Sequence, residues 1–149
     1  MKNNIHLQGG TVNGGFHIAS GMERLFGKDH VNGLFLTINY QRLSRTDEVV
    51  YMILEEQNAF VGMGYRRYFP VSDKVSPYIG ANVLAGYQYT GYSENGIFAH
   101  HPSKDFLYGA GAHAGMEYKL SPFSLFMEGA WLYEFDHTWQ VSAGVKYYF

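Results

Sequence analysis

The sequence predicts an all-β fold: an eight-stranded antiparallel up-and-down transmembrane β-barrel forming one domain over residues 1–149. Three observations predict it. Apolar side chains recur with a period of two over long runs, the spacing that puts one face of a strand to one side. The intervening positions are rich in Gly, Asn, Gln and charged residues. Charged residues make up only 16% and aromatics 17%, whereas soluble domains carry about 25% charge. A barrel with lipid outside has little use for a charged outer wall.

The strands follow in order. Residues 5–12 and 16–25 flank Asn13-Gly14-Gly15, a hairpin turn signal; the first of them shows no decisive face. Residues 31–43 set Leu34, Leu36, Ile38 and Tyr40 against Phe35, Thr37, Asn39 and Gln41. Residues 57–69 and 76–90 continue the pattern, the latter setting Ile79, Ala81, Val83, Ala85 and Tyr87 against Gly80, Asn82, Leu84, Gly86 and Gln88. Residues 105–120 alternate Ala110, Ala112, Ala114 and Met116 with Gly111, His113, Gly115 and Glu117. In 123–134, placing Leu125, Met127, Trp131 and Tyr133 outward turns Phe126, Glu128 and Leu132 inward. The opposite choice puts Glu128 in lipid, which costs more; a bulge near Gly129 would relax the strand. Residues 139–149 close the chain. Many of these runs exceed the usual soluble strand of about 5–6 residues and match the 9–11 that a tilted membrane strand needs. Residues 49–58 (VVYMILEEQN) are the best helical candidate, but they lack an N-cap and are rich in β-branched residues. Their alternative is an upward extension of the fourth strand.

Short connections at 26–30, 70–74 and 120–122 alternate with longer polar ones at 44–56 and 91–104. Short turns on one rim and long loops on the other is the layout of an outer-membrane barrel, with both termini on the periplasmic rim. Tyr65, Tyr118 and Tyr147 then form one outward aromatic girdle. Tyr87, Tyr108, Trp131 and Trp139 form the other. The interior is expected to be a packed polar plug of Arg66, His113, Glu117, Lys119, Glu128 and Lys146 between glycines, with Glu117 and Glu23 paired to Arg66, Lys119 or Lys146. An eight-stranded barrel is just wide enough for side chains to fill, and unpaired charges there are too costly. It should not conduct as a wide pore. A soluble lipocalin-type barrel inverts this arrangement and would need a Gly-rich outer wall to hold its strands in water.

Composition excludes other classes. A net charge of −2 excludes a strongly basic nucleic-acid binder, and the absence of Cys removes disulfides, thiolate metal sites and Cys nucleophiles. No apolar run is long enough for a spanning helix. Residues 1–4 lack the apolar core of a signal peptide and Ile5 already opens a patterned segment, so the sequence reads as the mature form of an exported protein. His100-His101 beside Pro102 is a weak metal signal, and His113 beside Glu117 reads better as a satisfied interior histidine. Ser142 with His137 and Glu134 offers a Ser–His–acid set, but Ser142 faces inward and His137 lies in a rim turn, so no enzyme is expected. No phosphate loop or zinc motif is present. No cofactor is implied.

Tyr147 and Phe149, with Val145, Ala143 and Val141 alternating behind them, look like the C-terminal signature by which the barrel assembly machinery recognises its substrates. Apolar residues in the exposed segments 43–56 and 90–104, notably Tyr51, Ile53, Tyr92 and Phe98, read as a partner surface. The expected surroundings are lipid around the barrel and an envelope protein complex, with no direct contact to nucleic acid.

Several stretches also carry a family resemblance. Ile5-His6-Leu7-Gln8-Gly9-Gly10 followed by Val12-Asn13-Gly14 resembles the opening of mature TraO proteins of Bacteroidetes conjugative transposons. Tyr78-Ile79-Gly80-Ala81 through Ala85-Gly86-Tyr87, Asp105-Phe106-Leu107-Tyr108-Gly109-Ala110-Gly111 and Glu117-Tyr118-Lys119-Leu120-Ser121 are similar in order and spacing. OmpA- and OmpX-like barrels share the general pattern. The resemblance implies a structural outer-membrane component of a DNA-transfer apparatus, without catalytic residues. An OmpX-like adhesion or surface-interaction barrel is the alternative, and a lipid-modifying enzyme the least favoured one.

Overall fold

The computed structural model describes residues 2–47, 52–94, 97–98, 103–133 and 137–149. The strands are β1 (Lys2–Val12), β2 (Gly15–Phe26), β3 (Asn32–Asp47), β4 (Met52–Tyr68), β5 (Val75–Glu94), the two-residue β6 (Ile97–Phe98), β7 (Ser103–Lys119), β8 (Phe123–Tyr133) and β9 (His137–Tyr148), with one 3₁₀ turn at Lys28–His30. Every pairing is antiparallel. The order β4-β3-β2-β1-β9-β8-β7-β5 is closed by β4 against β5, so the eight long strands form a barrel and β6 hangs on the upper end of β5.

Closure follows from the chemistry of the two faces. Ile5, Leu7, Ile18, Met22, Leu34, Leu36, Ile38, Val61, Met63, Ile79 and Val83 all stand exposed on the outside, an arrangement that only an apolar surrounding stabilises. Backbone groups at that depth must pair within the protein, and a closed barrel leaves no edge among them. The first strand resolves with Asn4, His6 and Gln8 inside and Ile5 and Leu7 outside. At the β1–β2 hairpin Gly14 takes φ +83° after Asn13 at +21°, the left-handed pair that a type I′-like connection requires.

Placing arginine at Ile38, which is 68% exposed on the outer wall of β3, is expected to cost about 2–4 kcal/mol, the penalty of a cation near the bilayer midplane. Urea unfolding in liposomes measures it; an unchanged midpoint would mean that this wall does not face lipid.

Two expectations are corrected. The register runs unbroken through Gly129, which pairs with Ala114 on one side and Val141 on the other, so there is no bulge: Glu128 finds partners inside, and β8 has no conflict to relieve. The longer connections are largely strand. β3, β4, β5 and β7 have 16, 17, 20 and 17 residues, against 11 or 12 in β1, β2, β8 and β9. Polar segments such as 44–47 and 91–94 stay paired because above the lipid a twisted antiparallel sheet needs no apolar face to satisfy its backbone. The upward extension of the fourth strand, and not the helical candidate, is what forms over 52–58, which belong to β4; residues 49–51 lie outside the described residues.

One wall of the barrel therefore rises well above the other. Among the described residues β3 pairs with β2 up to Leu43, opposite Gly15, and β7 pairs with β8 from Ala110, opposite Tyr133. Above those points, among the described residues, 44–47 of β3 pair only with β4, and 103–109 of β7 only with β5.

Candidate functional site

Two regions carry the protein's chemistry: the barrel interior and the projecting wall. The interior is built by parity. Once Arg66 faces inward, so do Gly64 and Tyr68 on β4; Lys146 brings Gly144 and Tyr148 with it on β9. Small residues beside long charged ones let the axis hold a cluster that would otherwise not fit.

Within it, Arg66 donates from Nη2 to Glu128 Oε2 at 2.9 Å and from Nε to His113 Nε2 at 3.2 Å, and lies 3.8 Å from Glu23. Lys146 Nζ donates to Glu117 Oε2 at 2.9 Å, to Tyr68 Oη at 2.7 Å and to Glu23 Oε2 at 3.4 Å. Asn4 Nδ2 adds a bond to Glu23 at 3.0 Å. Three carboxylates thus face two cations among the described residues. Each carboxylate also receives one tyrosine hydroxyl: Tyr68 on Glu23, Tyr78 on Glu128, Tyr148 on Glu117. These donors spread the excess negative charge without a third cation. The cations also stack on rings, Arg66 over Phe35 at 4.3 Å and Lys146 over Tyr68 at 4.9 Å. Burial without this density of partners would cost several kcal/mol per ion.

Lys119 is the exception to the expected network. It is exposed at the short-turn mouth and lines the vestibule there, because as the last residue of β7 it lies past the depth at which the wall encloses a side chain. Tyr68, Tyr78 and Tyr148 are the interior residues that sequence reasoning missed. Their parity with Arg66, Gly80 and Lys146 was the available signal.

The interior is not polar throughout. Above the cluster Phe60, Leu84, Ala130 and Leu132 pack together, and Val12, Leu43 and Leu107 are buried near the upper mouth. Between the layers a cavity of about 30 Å³ touches Arg66, Asn82, His113 and Gln140, room for no more than a water or two. Ions, apolar side chains and this narrow gap together fill the axis.

The remaining candidates are placed as follows. Tyr65, Tyr118 and Tyr147 stand outward near the short-turn rim, and Tyr87, Tyr108, Trp131 and Trp139 outward toward the long-strand rim. Lys104 lies over the Tyr87 and Tyr89 rings at 4.3 and 5.6 Å, and Arg42 pairs with Glu55 at 3.2 Å on β3 and β4; the polar exterior begins there. Tyr147 and Phe149 are outward and stacked. The backbones of Ile53, Tyr92 and Phe98 lie on β4, β5 and β6; Tyr51 and those three side chains lie outside the described residues. So do His100-His101, Glu134 and the side chain of His137. Ser142 is buried, its hydroxyl 3.4 Å from the Glu128 carbonyl. Among the described residues no group of three or more His, Asp or Glu could hold a metal.

No protein-family model and no curated protein matches the chain. Solved structures do. A major outer membrane protein from Thermus thermophilus aligns with a TM-score of 0.74 at 14% identity, covering 99% of both chains. Ail, the attachment invasion locus protein of Yersinia pestis, aligns at 0.67 and 13% identity, covering 99% of this chain and 98% of its own. The N-terminal β-barrel domain of Pseudomonas aeruginosa OprF aligns at 0.64 and 14% identity, covering 99% and 97%. At such identities the likeness is one of fold. The chain is an eight-stranded barrel of the bacterial outer membrane.

Proposed function

We propose that this barrel is a non-enzymatic anchor whose projecting wall docks a protein partner, making it a structural or assembly component of an envelope complex. The observation that carries the reading is the pair of strand segments, 44–47 and 103–109, that extend past their shorter neighbours β2 and β8 and are paired on one side only among the described residues. A row of main-chain donors and acceptors without a neighbouring strand is a template for pairing with another chain. A filled axis suits an anchor and not a conduit. Ser142, the one nucleophile weighed on sequence, is enclosed by the barrel, which argues against access to a lipid substrate. The finer reading, membership of a conjugative DNA-transfer apparatus, rests on the resemblance to TraO proteins.

Purification of the full chain from its native envelope in mild detergent tests this. A stoichiometric envelope protein should accompany the wild type and be lost when residues 44–55 are replaced by an Asn-Gly turn, which removes the 44–47 segment together with its β4 partner residues. Partners drawn from a DNA-transfer apparatus would support the conjugation reading. Absence of any partner under several mild conditions, with binding of the barrel to other cells that the same trimming abolishes, would favour the surface-interaction alternative instead.

A further inference from the structure

The outer wall is uneven. Across β4, β5, β7, β8 and β9 the register aligns Tyr65, Ala81, Ala112, Trp131 and Trp139 in one outward row, and Arg67, Ile79, Ala114, Gly129 and Val141 in the next row toward the short-turn rim. The small members sit in the middle and the large ones at the ends, so the wall is hollowed into a groove of about 640 Å³. Among the described residues Arg67 is the only Lys or Arg along the groove. It stands at the short-turn end, one residue from the end of β4 and at the depth of the Tyr65 girdle. Its Nη1 donates to Asn32 Oδ1 at 2.7 Å, and the Tyr65 hydroxyl bonds the same oxygen. Asn32 thus holds the guanidinium at the lip of the groove, and among the described residues no carboxylate pairs with it.

We infer that this groove is a specific site for one glycerophospholipid of the periplasmic leaflet, its phosphate on Arg67 and an acyl chain along Ala81, Ala112, Ala114 and Gly129. The charge decides the leaflet: a planar guanidinium matches a phosphate diester, and the cation lies at the short-turn, periplasmic end. The apolar floor decides the rest. A chain lying in the hollow contacts Ile79 and Trp131 as well as the floor, whereas on a convex wall it touches one side only. The inference rests on the membrane location and is independent of the partner proposed above.

The test refolds the full chain into bilayers of phosphatidylglycerol and phosphatidylethanolamine, extracts it in mild detergent and weighs it intact by native mass spectrometry. Wild type should retain one phospholipid. Arg67→Gln should lower the retained fraction roughly tenfold, as expected for losing a charge-assisted bond. Ala112→Phe, which fills the groove, should do the same, while Ser20→Phe on the outer face of β2 should leave retention unchanged. Equal retention in wild type and Arg67→Gln overturns the proposal, and so does equal loss in Ser20→Phe. A dimer that Ala112→Phe abolishes would assign the groove to a second copy of the chain and overturn it too. Arg67 is exposed at the rim, so its variant gives the answer even if Ala112→Phe fails to fold.

Discussion

Replacing Lys146 with methionine is expected to remove about 3–5 kcal/mol of stability, the usual cost of taking one partner from a buried ion pair. Lys146 and Glu117 are both fully buried, and Lys146 Nζ is the only cation within ion-pair distance of Glu117 among the described residues. Without it Glu117 has no cation among the described residues and keeps the Tyr148 hydroxyl, and Glu23 keeps Arg66 at 3.8 Å with the Asn4 and Tyr68 bonds. The lost interaction is a small part of the effect. The larger part is a carboxylate stranded in a space from which water is nearly excluded. A second change separates the two: adding Glu117→Gln to Lys146→Met removes the stranded charge and should recover part of the loss, whereas two independent losses would add. Urea titration of Trp fluorescence in liposomes reads all four members of the cycle. A Lys146→Met midpoint within about 0.5 kcal/mol of wild type, the range of an ordinary surface change, would show that the cluster does not hold the barrel together.

How much of this cluster can be read from the chain depends on what kind of signal each residue leaves. Arg66, Glu117 and Lys146 are legible because each sits one step out of phase with an apolar row, and a charge in that phase has nowhere to go but the axis. Glu128 is legible by cost alone, since its neighbours Met127 and Gly129 leave the phase open and only the price of a carboxylate in lipid settles it. Tyr68, Tyr78 and Tyr148 escape notice because an aromatic near a rim reads as a girdle residue; the phenol is at home in both places, and only strict parity separates Tyr147 outside from Tyr148 inside. Which acid meets which base is not written locally at all. Glu23 lies on β2 and its cations on β4 and β9, brought together by barrel shear. The heights of the strands are hidden for a different reason. Within lipid the alternation is enforced by the solvent, but above it segments such as 91–94 keep their backbone pairing while carrying the composition of a loop.

The same inside–outside assignment makes Gly111 and its neighbour Ala112 a sharp pair. Gly111→Leu is expected to abolish folding, while Ala112→Leu should change stability by no more than about 0.5 kcal/mol. A Cβ at Gly111 would meet Asn82 Oδ1 at 2.5 Å and Leu132 Cδ2 at 2.6 Å, and leucine adds three more carbons beyond it. Extra methylenes in a packed core typically cost about 1–3 kcal/mol where neighbours can shift. Here the surrounding strands are hydrogen-bonded into a closed ring, and the nearest gap is about 30 Å³, too small for the added side chain. Ala112 points the other way, into the groove on the outer wall, where a larger side chain meets acyl chains and not protein. Heat-modifiable migration on gels after refolding into lipid distinguishes the two, since a folded barrel and its unfolded chain run differently. Loss of the folded band in Gly111→Leu but not in Ala112→Leu is the expected result. Equal loss in both would mean that the two faces of β7 are not, as the burial pattern has them, one against a filled axis and one against lipid.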